Sequence, residues 1–413
     1  MLRTGARSPR FPRWLIAPIV LALLSPLAIQ RLAATSPSSP PPAPPRTGGP
    51  GPAGGPGTSA ATTAAPAPAA TGTTGHGQAP GCTLPPLRTQ LAQLVIVGFP
   101  GTRPNAENLE LVRRGVGGLI LFKRNVVSGP QVRALVKGLQ ARASIPLEIA
   151  VDQEPGTRVA RLAGIVPQTP SARALGRMPP GRIERYAERL GRAMAGLGVT
   201  ADFAPVLDVT AASGSVIGDR SFGSDPVTAG RAGVAFLRGL RAGGVTAVGK
   251  HFPGHGESTT DSHLQLPVVG SSMADLRARA LPPFQEAIRA GLPGVMLGHL
   301  LVTELDPRRP ASLSPVVAGR LLRQELGFHG LVVTDALEMG AIVRSRSLPE
   351  AAELAVAAGS DQVLVGADHQ PVTAVIDRLE RAVAAGRLSR PRVRQAFLRV
   401  ERFKGQHRWD RCG

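Results

Sequence analysis

The run Gly243-Gly-Val-Thr-Ala-Val-Gly-Lys-His251 contains one of the apolar segments whose repetition along the chain decides the fold. Glycines bound a short apolar segment, which is typical of a buried β-strand. The segment ends in Lys250 and His251, so the predicted strand delivers two polar side chains at its tip.

Similar apolar runs recur along the chain and alternate with amphipathic stretches. The predicted strands are Leu94–Phe99, Gly118–Phe122, Leu147–Val151, Ala201–Leu207, Val245–Gly249, Gly294–Leu301, Leu331–Thr334 and Gln362–Val365. The helix-like stretches are Gly129–Ala141, Pro180–Gly196, Val227–Ala242, Met273–Ala290, Pro315–Leu326 and Leu348–Ala358. This alternation predicts an α/β fold, a TIM-type (β/α)8 parallel barrel rather than an open doubly wound sheet.

Polar side chains follow most of the predicted strands at their C-terminal ends. They are Asp152 and Glu154 after the third strand, Asp208 after the fourth, Lys250 and His251 after the fifth, His299 at the sixth and Asp335 after the seventh. Active sites of parallel barrels lie at this end of the strands. We therefore expect these side chains to converge on one site.

The segment Lys250–His263 concentrates three histidines and two carboxylates. Pro253 and Gly254 rule out a helix that would present two of the histidines on one face, as in a zinc protease. Asp261 and His263 can converge, in which case the carboxylate orients the imidazole and raises its basicity. This pair is a candidate acid/base.

Residues 1–34 are predicted to be an export segment. Arginines precede an uncharged apolar run at residues 14–29, the arrangement of a signal peptide or a short N-terminal membrane anchor. We expect an exported, extracytoplasmic protein that is associated with the cell wall or the membrane.

Residues 35–81 consist almost wholly of Pro, Ala, Gly, Ser and Thr, without Asp or Glu. Such a composition does not bury enough apolar surface to offset the entropy of ordering it. We expect a disordered tether that holds the domain after it away from a membrane and within a cell wall.

Residues 82–413 fit one large α/β domain with a cysteine at each end. Domain termini often lie close together, and exported proteins tolerate disulfides. The expectation is a disulfide between Cys82 and Cys412, with two free thiols as the alternative.

The formal net charge is +20, which would hold the protein near anionic wall polymers or lipid headgroups. Only four of the 48 basic residues are lysines, so the charge also reflects a general composition bias. No basic run is interleaved with aromatic residues, and nucleic-acid binding is not expected.

Five motifs occur in order along the domain: Ile149-Ala-Val-Asp-Gln-Glu154, Phe203-Ala-Pro-Val-Leu-Asp-Val209, Ile217-Gly-Asp-Arg-Ser-Phe222, Lys250-His-Phe-Pro-Gly-His-Gly256 with Asp261-Ser-His263 and Pro267, and Val333-Thr-Asp-Ala-Leu-Glu-Met-Gly-Ala341. Together they resemble glycoside hydrolase family 3, and specifically its β-N-acetylhexosaminidases, which trim N-acetylglucosamine during cell-wall turnover. The resemblance spans residues 88–400.

The resemblance implies a role for each matching position. Asp335 matches the family's nucleophile, His263 its acid/base, and Asp261 the carboxylate that orients this histidine. The positions that hold the sugar match Asp152, Arg161, Arg220, Lys250 and His251. Arg161 is matched across Glu154-Pro-Gly-Thr-Arg158, which replaces the family's usual Glu-Gly-Gly-Arg.

The expected activity is retaining removal of terminal β-linked N-acetylglucosamine, through a covalent glycosyl-aspartate and without a cofactor or metal. A histidine is neutral as a base and does not repel an incoming anion, so phosphorolysis remains an alternative to hydrolysis. Aromatic residues make up only 3% of the chain. Few rings are available to stack several sugars, which favours a short exo-acting pocket. The enzyme is expected to be a monomer.

Three further alternatives belong to other activities or classes. A β-glucosidase of the same family is the nearest enzymatic one. A metal-dependent hydrolase would use His251, His255, Asp261 and His263 as ligands and would lose activity with a chelator. A non-catalytic cell-wall-binding protein would keep the barrel without turnover.

Overall fold

A computed structural model describes residues 83–210, 214–367 and 371–412. The predicted export segment (1–34), the tether (35–81) and Cys82 lie outside the described residues, so these predictions and the Cys82–Cys412 disulfide stay predictions. No helix in the described ranges is long and apolar enough to cross a membrane.

Eight strands of the described residues form a closed parallel barrel, as predicted. The barrel strands are β1 (Val95–Gly98), β2 (Gly118–Leu121), β3 (Glu148–Val151), β4 (Ala201–Asp202), β5 (Thr246–Phe252), β7 (Gly294–Leu297), β9 (Leu331–Ala336) and β10 (Gln362–Val365). The barrel closes because β1 pairs with both neighbours, Val95 opposite Val363 of β10 and Ile96 opposite Gly118 of β2. Helices cover the outside, so the strands read as continuous apolar runs.

Two strands end at least four residues before their predicted C-terminal ends. β4 ends at Asp202, and its path continues only as an isolated bridge between Val206 and Lys250. Pro205 lies between these two pieces and has no N–H to donate to a ladder. β7 ends at Leu297, and Leu301–Val302 forms a separate strand, β8, which pairs with β6 (Val268–Val269) outside the barrel.

The helices alternate with the strands. Their bounds are α1 Leu87–Gln93, α2 Ala106–Arg113, α3 Gly129–Gln140, α4 Ala172–Leu175, α5 Pro180–Ala195, α6 Pro226–Ala242, α7 Met273–Asp275, α8 Pro282–Arg289, α9 Gly340–Val343, α10 Leu348–Ala358, α11 Val372–Ala384 and α12 Arg390–Phe403. Ser128, Asp225 and Ser347 cap α3, α6 and α10 by accepting backbone N–H groups. A proline lies in the first turn of each of these three helices, where its missing N–H costs little.

Two predicted helices contain π-helical turns. The predicted helix Met273–Ala290 divides into α7, a π-helical segment Leu276–Ala280 and α8. Pro282 and Pro283 cannot donate to the preceding turn, and the break falls directly before them. The predicted helix Pro315–Leu326 is a π-helix over Val316–Glu325.

The N-terminal end of the barrel contains a buried polar cluster. The Gln362 amide donates to the Glu148 carboxylate at 2.9 Å, and the Lys404 ammonium donates to the Pro146 carbonyl at 2.9 Å. Burial raises the pKa of Glu148 to about 7, against smaller opposing effects of Gln362 and Lys404. A carboxyl group whose pKa is raised towards neutrality thus lies at the end of the barrel opposite the predicted site.

Candidate active site

A pocket of about 320 Å³ opens at the C-terminal ends of the barrel strands. It is lined by Asp152, Arg158, Val159, Arg161, Val216, Ile217, Arg220, Lys250, His251, His255, Asp261, Ser262, His263, Met296 and Asp335. All eight residues that the sequence assigned to catalysis or sugar binding are in this set. The strand ends thus converge as the barrel prediction requires.

A second cavity, of about 400 Å³, lies at the opposite end of the barrel. Its lining includes Arg241, Arg399 and Arg402 but no carboxylate. Glycosidic chemistry with two protein groups needs a carboxylate or an equivalent nucleophile. The pocket of about 320 Å³ at the C-terminal ends of the strands is therefore the candidate active site.

Two cations and two carboxylates form a buried network at the floor of the pocket. The Lys250 ammonium lies 2.7 Å from both the Asp152 and the Glu154 carboxylate. The Arg220 guanidinium donates to both oxygens of Glu154, at 2.7 Å each. This bidentate geometry is among the strongest for a charged pair and holds Arg220 in a single orientation.

The network keeps its members charged. Burial alone would raise the pKa of Glu154, but the positive charges of Lys250 and Arg220 outweigh burial and bring it to about 2. Burial opposes the charge of Lys250, and the charges of Asp152 and Glu154 outweigh it and raise the pKa of the ammonium. A ligand at the pocket floor therefore meets fixed charged groups of the protein where it would otherwise meet water.

A second buried carboxylate, Asp208, organises the histidines beside this network. Its Oδ2 lies 2.7 Å from His251 Nδ1, and its Oδ1 accepts the His255 backbone N–H at 2.6 Å. A carboxylate only accepts, so His251 carries a proton on Nδ1, and its side chain lines the pocket. Burial opposes ionisation of Asp208, but His251 outweighs it and lowers the pKa of the carboxyl.

Asp335 lies at the end of β9, half-buried at the base of the pocket. Its Oδ1 accepts the Ala336 backbone N–H at 2.8 Å. Burial raises the pKa of Asp335, but His299 and His251 outweigh it, so the net shift is downwards. An ionised carboxylate at a pocket base can act as a nucleophile.

His299 supports the backbone next to Asp335. Its Nε2 donates to the Ala336 carbonyl at 2.9 Å, and its Nδ1 lies 2.7 Å from Ser312 Oγ. The carbonyl only accepts, so Nε2 carries the proton and Nδ1 accepts from the serine hydroxyl. Burial lowers the pKa of His299, and the charge of Asp335 opposes this shift.

Asp261 and His263 form the pair that the sequence predicted. Asp261 Oδ1 lies 2.8 Å from His263 Nδ1 and accepts the His263 backbone N–H at 2.9 Å. The His263 side chain is 73% exposed. Burial opposes ionisation of Asp261, but the hydrogen bonds from His263 outweigh it and lower the pKa of the carboxyl. The pair can therefore move a proton through His263 Nε2 on the solvent side of the pocket.

Two arginines line the pocket: Arg158, the last residue of the segment that departs from the family motif, and Arg161, which lies three residues after it. Arg161 Nε is buried without a hydrogen-bond partner, and its guanidinium lies 5.7 Å from the centroid of the Phe122 ring. Arg158 is more exposed and lies 3.7 Å from Asp219. Although Glu154-Pro-Gly-Thr-Arg158 has one residue more than the family's Glu-Gly-Gly-Arg, Arg161 lines the pocket.

Sequence reasoning placed Glu154, Asp208 and His299 at strand ends but gave them no role in the site. The structure makes Glu154 the counterion shared by two cations and Asp208 the partner of His251. Their position directly after apolar runs was the available signal. His255 and Ser262, which lie 3.3 Å apart, also line the pocket; sequence reasoning assigned His255 a role only in the metal-dependent alternative and assigned Ser262 none.

The metal-ligand alternative finds no support in the geometry. Among the described residues, no group of three or more His, Cys, Asp or Glu side chains could hold a metal ion. His251 is bonded to Asp208, whereas His263 is bonded to Asp261.

Comparison with known proteins adds an independent line of information. The profile of the glycosyl hydrolase family 3 N-terminal domain matches residues 86–403. The beta-hexosaminidase of Alkalilimnicola ehrlichii is 38% identical over 293 residues, which cover 69% of this chain and 84% of that protein. Beta-hexosaminidase LpqI of Mycobacterium tuberculosis is 39% identical over 331 residues, which cover 77% and 82%.

Solved structures agree with the sequence matches. The glycoside hydrolase family 3 β-N-acetylglucosaminidase of Paenibacillus sp. str. FPU-7 superposes with a TM-score of 0.76 at 38% identity. The match covers 79% of this chain and 64% of the Paenibacillus chain. The region matched by the family profile, residues 86–403, includes every residue of the pocket described above.

Proposed function

The chain belongs to glycosyl hydrolase family 3, and we propose that it is an exo-acting, retaining β-N-acetylhexosaminidase. The proposed substrate is a glycan of cell-wall origin that ends in β-linked N-acetylglucosamine. The beta-hexosaminidase names of its relatives support this class of activity.

One observation carries the proposal: a single pocket is lined both by the ionised carboxylate of Asp335 and by the Asp261–His263 pair. A retaining glycosidase needs a nucleophile on one side of the anomeric carbon and a proton donor at the leaving oxygen. Asp335 is held at the pocket base, whereas His263 lies at the exposed side, so the two groups suit these roles.

In the proposed first step, the Asp335 carboxylate attacks the anomeric carbon while His263 Nε2–H donates its proton to the departing oxygen. The bond to the aglycone breaks, and a glycosyl-aspartate forms. In the second step, neutral His263 takes a proton from water, which attacks the same carbon and releases Asp335. Asp261 accepts from His263 Nδ1–H throughout and stabilises the imidazolium.

The floor of the pocket supplies the binding groups. Lys250 is fixed by its ion pair with Asp152 and Arg220 by its ion pair with Glu154, and Arg161 lines the same pocket. These groups are proposed to bond the sugar hydroxyls and the acetamido group. A volume of about 320 Å³ is at the small end for ligand pockets and fits one sugar ring better than several.

The sequence alone supports a proposal about location. The apolar run at 14–29 is proposed to direct export or to anchor the chain, and residues 35–81 to tether the enzyme within the wall. Fractionation of cells that express the full chain tests this. Recovery of the protein in the cytoplasm would refute the proposed location.

The test of the activity measures release of nitrophenol from the β-N-acetylglucosaminide and from the β-glucoside. Each is assayed with and without inorganic phosphate, and with a chelator. Asp335→Ala and His263→Ala are compared with the unmodified enzyme. His407→Ala is a matched control for His263→Ala, because His407 is also exposed and bonded to an aspartate, 2.9 Å from Asp410.

We expect turnover of the N-acetyl sugar alone, its loss in Asp335→Ala, and normal activity in His407→Ala. Stimulation by phosphate would identify a phosphorylase, and preference for the glucoside would identify a β-glucosidase. Inactivation by the chelator would favour a metal-dependent hydrolase. A folded protein that turns over neither substrate would favour a wall-binding role.

A further inference from the structure

We propose that Arg344, together with the backbone of Gly340, positions the acid/base His263 over the pocket. This inference rests on the proposed function, because it concerns the residue assigned there to proton transfer. Arg344 was not singled out from the sequence and does not line the pocket.

Three donors of one short segment bind three consecutive carbonyls around His263. The backbone N–H of Ala341 donates to the Ser262 carbonyl at 3.1 Å, and that of Gly340 to the His263 carbonyl at 3.1 Å. The guanidinium of Arg344 donates through Nε to the Leu264 carbonyl at 2.8 Å. These contacts seat loop 253–267, which connects β5 and β6, on α9.

Side-chain packing does not hold His263. The imidazole is 73% exposed and its hydrogen-bond partner, Asp261, is 47% exposed. The bonds between the two residues, and the Leu264 N–H to the Asp261 carbonyl at 3.0 Å, lie within loop 253–267. They set the geometry of the pair but not its distance from Asp335. That distance depends on where the loop is seated.

The segment that binds loop 253–267, Gly340 to Arg344, follows the proposed nucleophile Asp335 closely in the chain. α9 begins shortly after β9, the strand that carries Asp335. The intervening turn is fixed by the Leu337 N–H to the Leu364 carbonyl at 3.0 Å and by the Met339 N–H to the Ala336 carbonyl at 3.1 Å. One continuous segment thus places both reacting groups relative to each other.

Gly340 shows how closely the loop is seated. A Cβ at this position would lie 2.6 Å from the Leu264 carbonyl oxygen and 2.7 Å from the His263 carbonyl oxygen. Both neighbours are backbone, so the loop itself must shift to admit a side chain. The φ of Gly340 is outside the left-handed region, and alanine would introduce this contact without backbone strain.

A shifted acid/base has a specific kinetic consequence. General acid catalysis matters most when the leaving group is a poor one, since a good leaving group departs without a proton. Displacement of His263 should therefore lower kcat/KM for an alkyl N-acetylglucosaminide and spare the dinitrophenyl one. A general loss of folded enzyme would lower both equally.

The experiment compares Arg344→Ala with Arg346→Ala in the full chain. Arg346 is a matched control on the same segment, because it donates to Ser345 Oγ instead of to the loop. We expect Arg344→Ala to lose about 30-fold in kcat/KM on the alkyl substrate, a part of the roughly 10²–10⁴-fold that general acid catalysis contributes, and less than about 3-fold on the dinitrophenyl substrate. Arg346→Ala should resemble the unmodified enzyme on both.

Gly340→Ala provides a second route that keeps all charges. Its control is Gly319→Ala, since a Cβ at Gly319 meets nothing within 4 Å. Equal losses on the two substrates, or no loss in either Arg344→Ala or Gly340→Ala, would overturn the inference. If the unmodified enzyme turns over the N-acetyl sugar and Asp335→Ala does not, such a result leaves the proposed function intact. If the unmodified enzyme is inactive, the proposed function itself fails.

Discussion

Replacement of Glu154 by glutamine tests the charge network at the pocket floor. The substitution keeps the shape of the side chain but removes the charge shared by Lys250 and Arg220. Both cations lie 2.7 Å from this carboxylate, whose side chain is fully buried. Lys250 would keep its pair with Asp152, which is 16% exposed, whereas Arg220 would lose the carboxylate that it bonds through two hydrogen bonds.

The magnitude follows from the pKa of Glu154, which the network lowers from 4.5 to about 2. At about 1.36 kcal/mol per pKa unit, this shift corresponds to about 3 kcal/mol of folding free energy. Removing one partner of a buried ion pair in other proteins costs about 3–5 kcal/mol. We therefore expect Glu154→Gln to lower the free energy of unfolding by about 3 kcal/mol at pH 7.

The pH dependence identifies the cause. A depressed pKa stabilises the fold fully above the unfolded value of 4.5, and this stabilisation is lost as the pH falls towards 2. The difference between the two proteins should thus shrink to less than half near pH 3. Urea unfolding at both pH values measures it, with the exposed Glu257→Gln as a control. A loss under about 1 kcal/mol at pH 7, or one that does not change with pH, would refute the reasoning.

Three further predictions concern other parts of the molecule. The pKa of Glu148 is raised from 4.5 to about 7, so the free energy of unfolding should fall as the pH rises through this interval. Glu148→Gln should remove this pH dependence and should be about 3 kcal/mol more stable than the unmodified protein in urea unfolding at pH 8. Parallel curves of stability against pH for the two proteins would contradict the prediction. Asp208→Asn should lower kcat/KM at least about tenfold, because the carboxylate that orients His251 is gone, and unchanged kinetics would refute this role. Thiol titration of the denatured, unreduced protein should find no free thiol, and reduction should cost on the order of 5 kcal/mol of stability; two free thiols would exclude the Cys82–Cys412 bridge.

The strands were predictable because each is buried on both faces. Every barrel strand appears as a short apolar run, and β10 has the predicted bounds Gln362–Val365. The errors occur where proline or a change of direction interrupts hydrogen bonding. Pro205 shortens β4, and Pro282 divides a predicted helix. Local periodicity does not reveal which bonds are lost.

Membership of the site was predictable for a similar reason. A parallel barrel brings all C-terminal strand ends together, so the polar residue after each apolar run must face one mouth. The motifs then identified the eight residues that line the pocket. Their catalytic roles remain predictions that the variants above will test.

The amino-acid sequence by itself therefore determined the order of strands and helices, the end of the barrel that carries the chemistry and the local Asp261–His263 pair. The tertiary structure alone decided which charges meet. Glu154 lies 66 residues from Arg220 along the chain, and Lys250 lies 98 from Asp152. It also decided that loop 253–267 rests on Arg344, 80 residues from its partner Leu264. The physical reason is that periodicity and motifs report neighbours along the chain, whereas ion pairs and loop seats form between residues that only barrel closure brings within bonding distance.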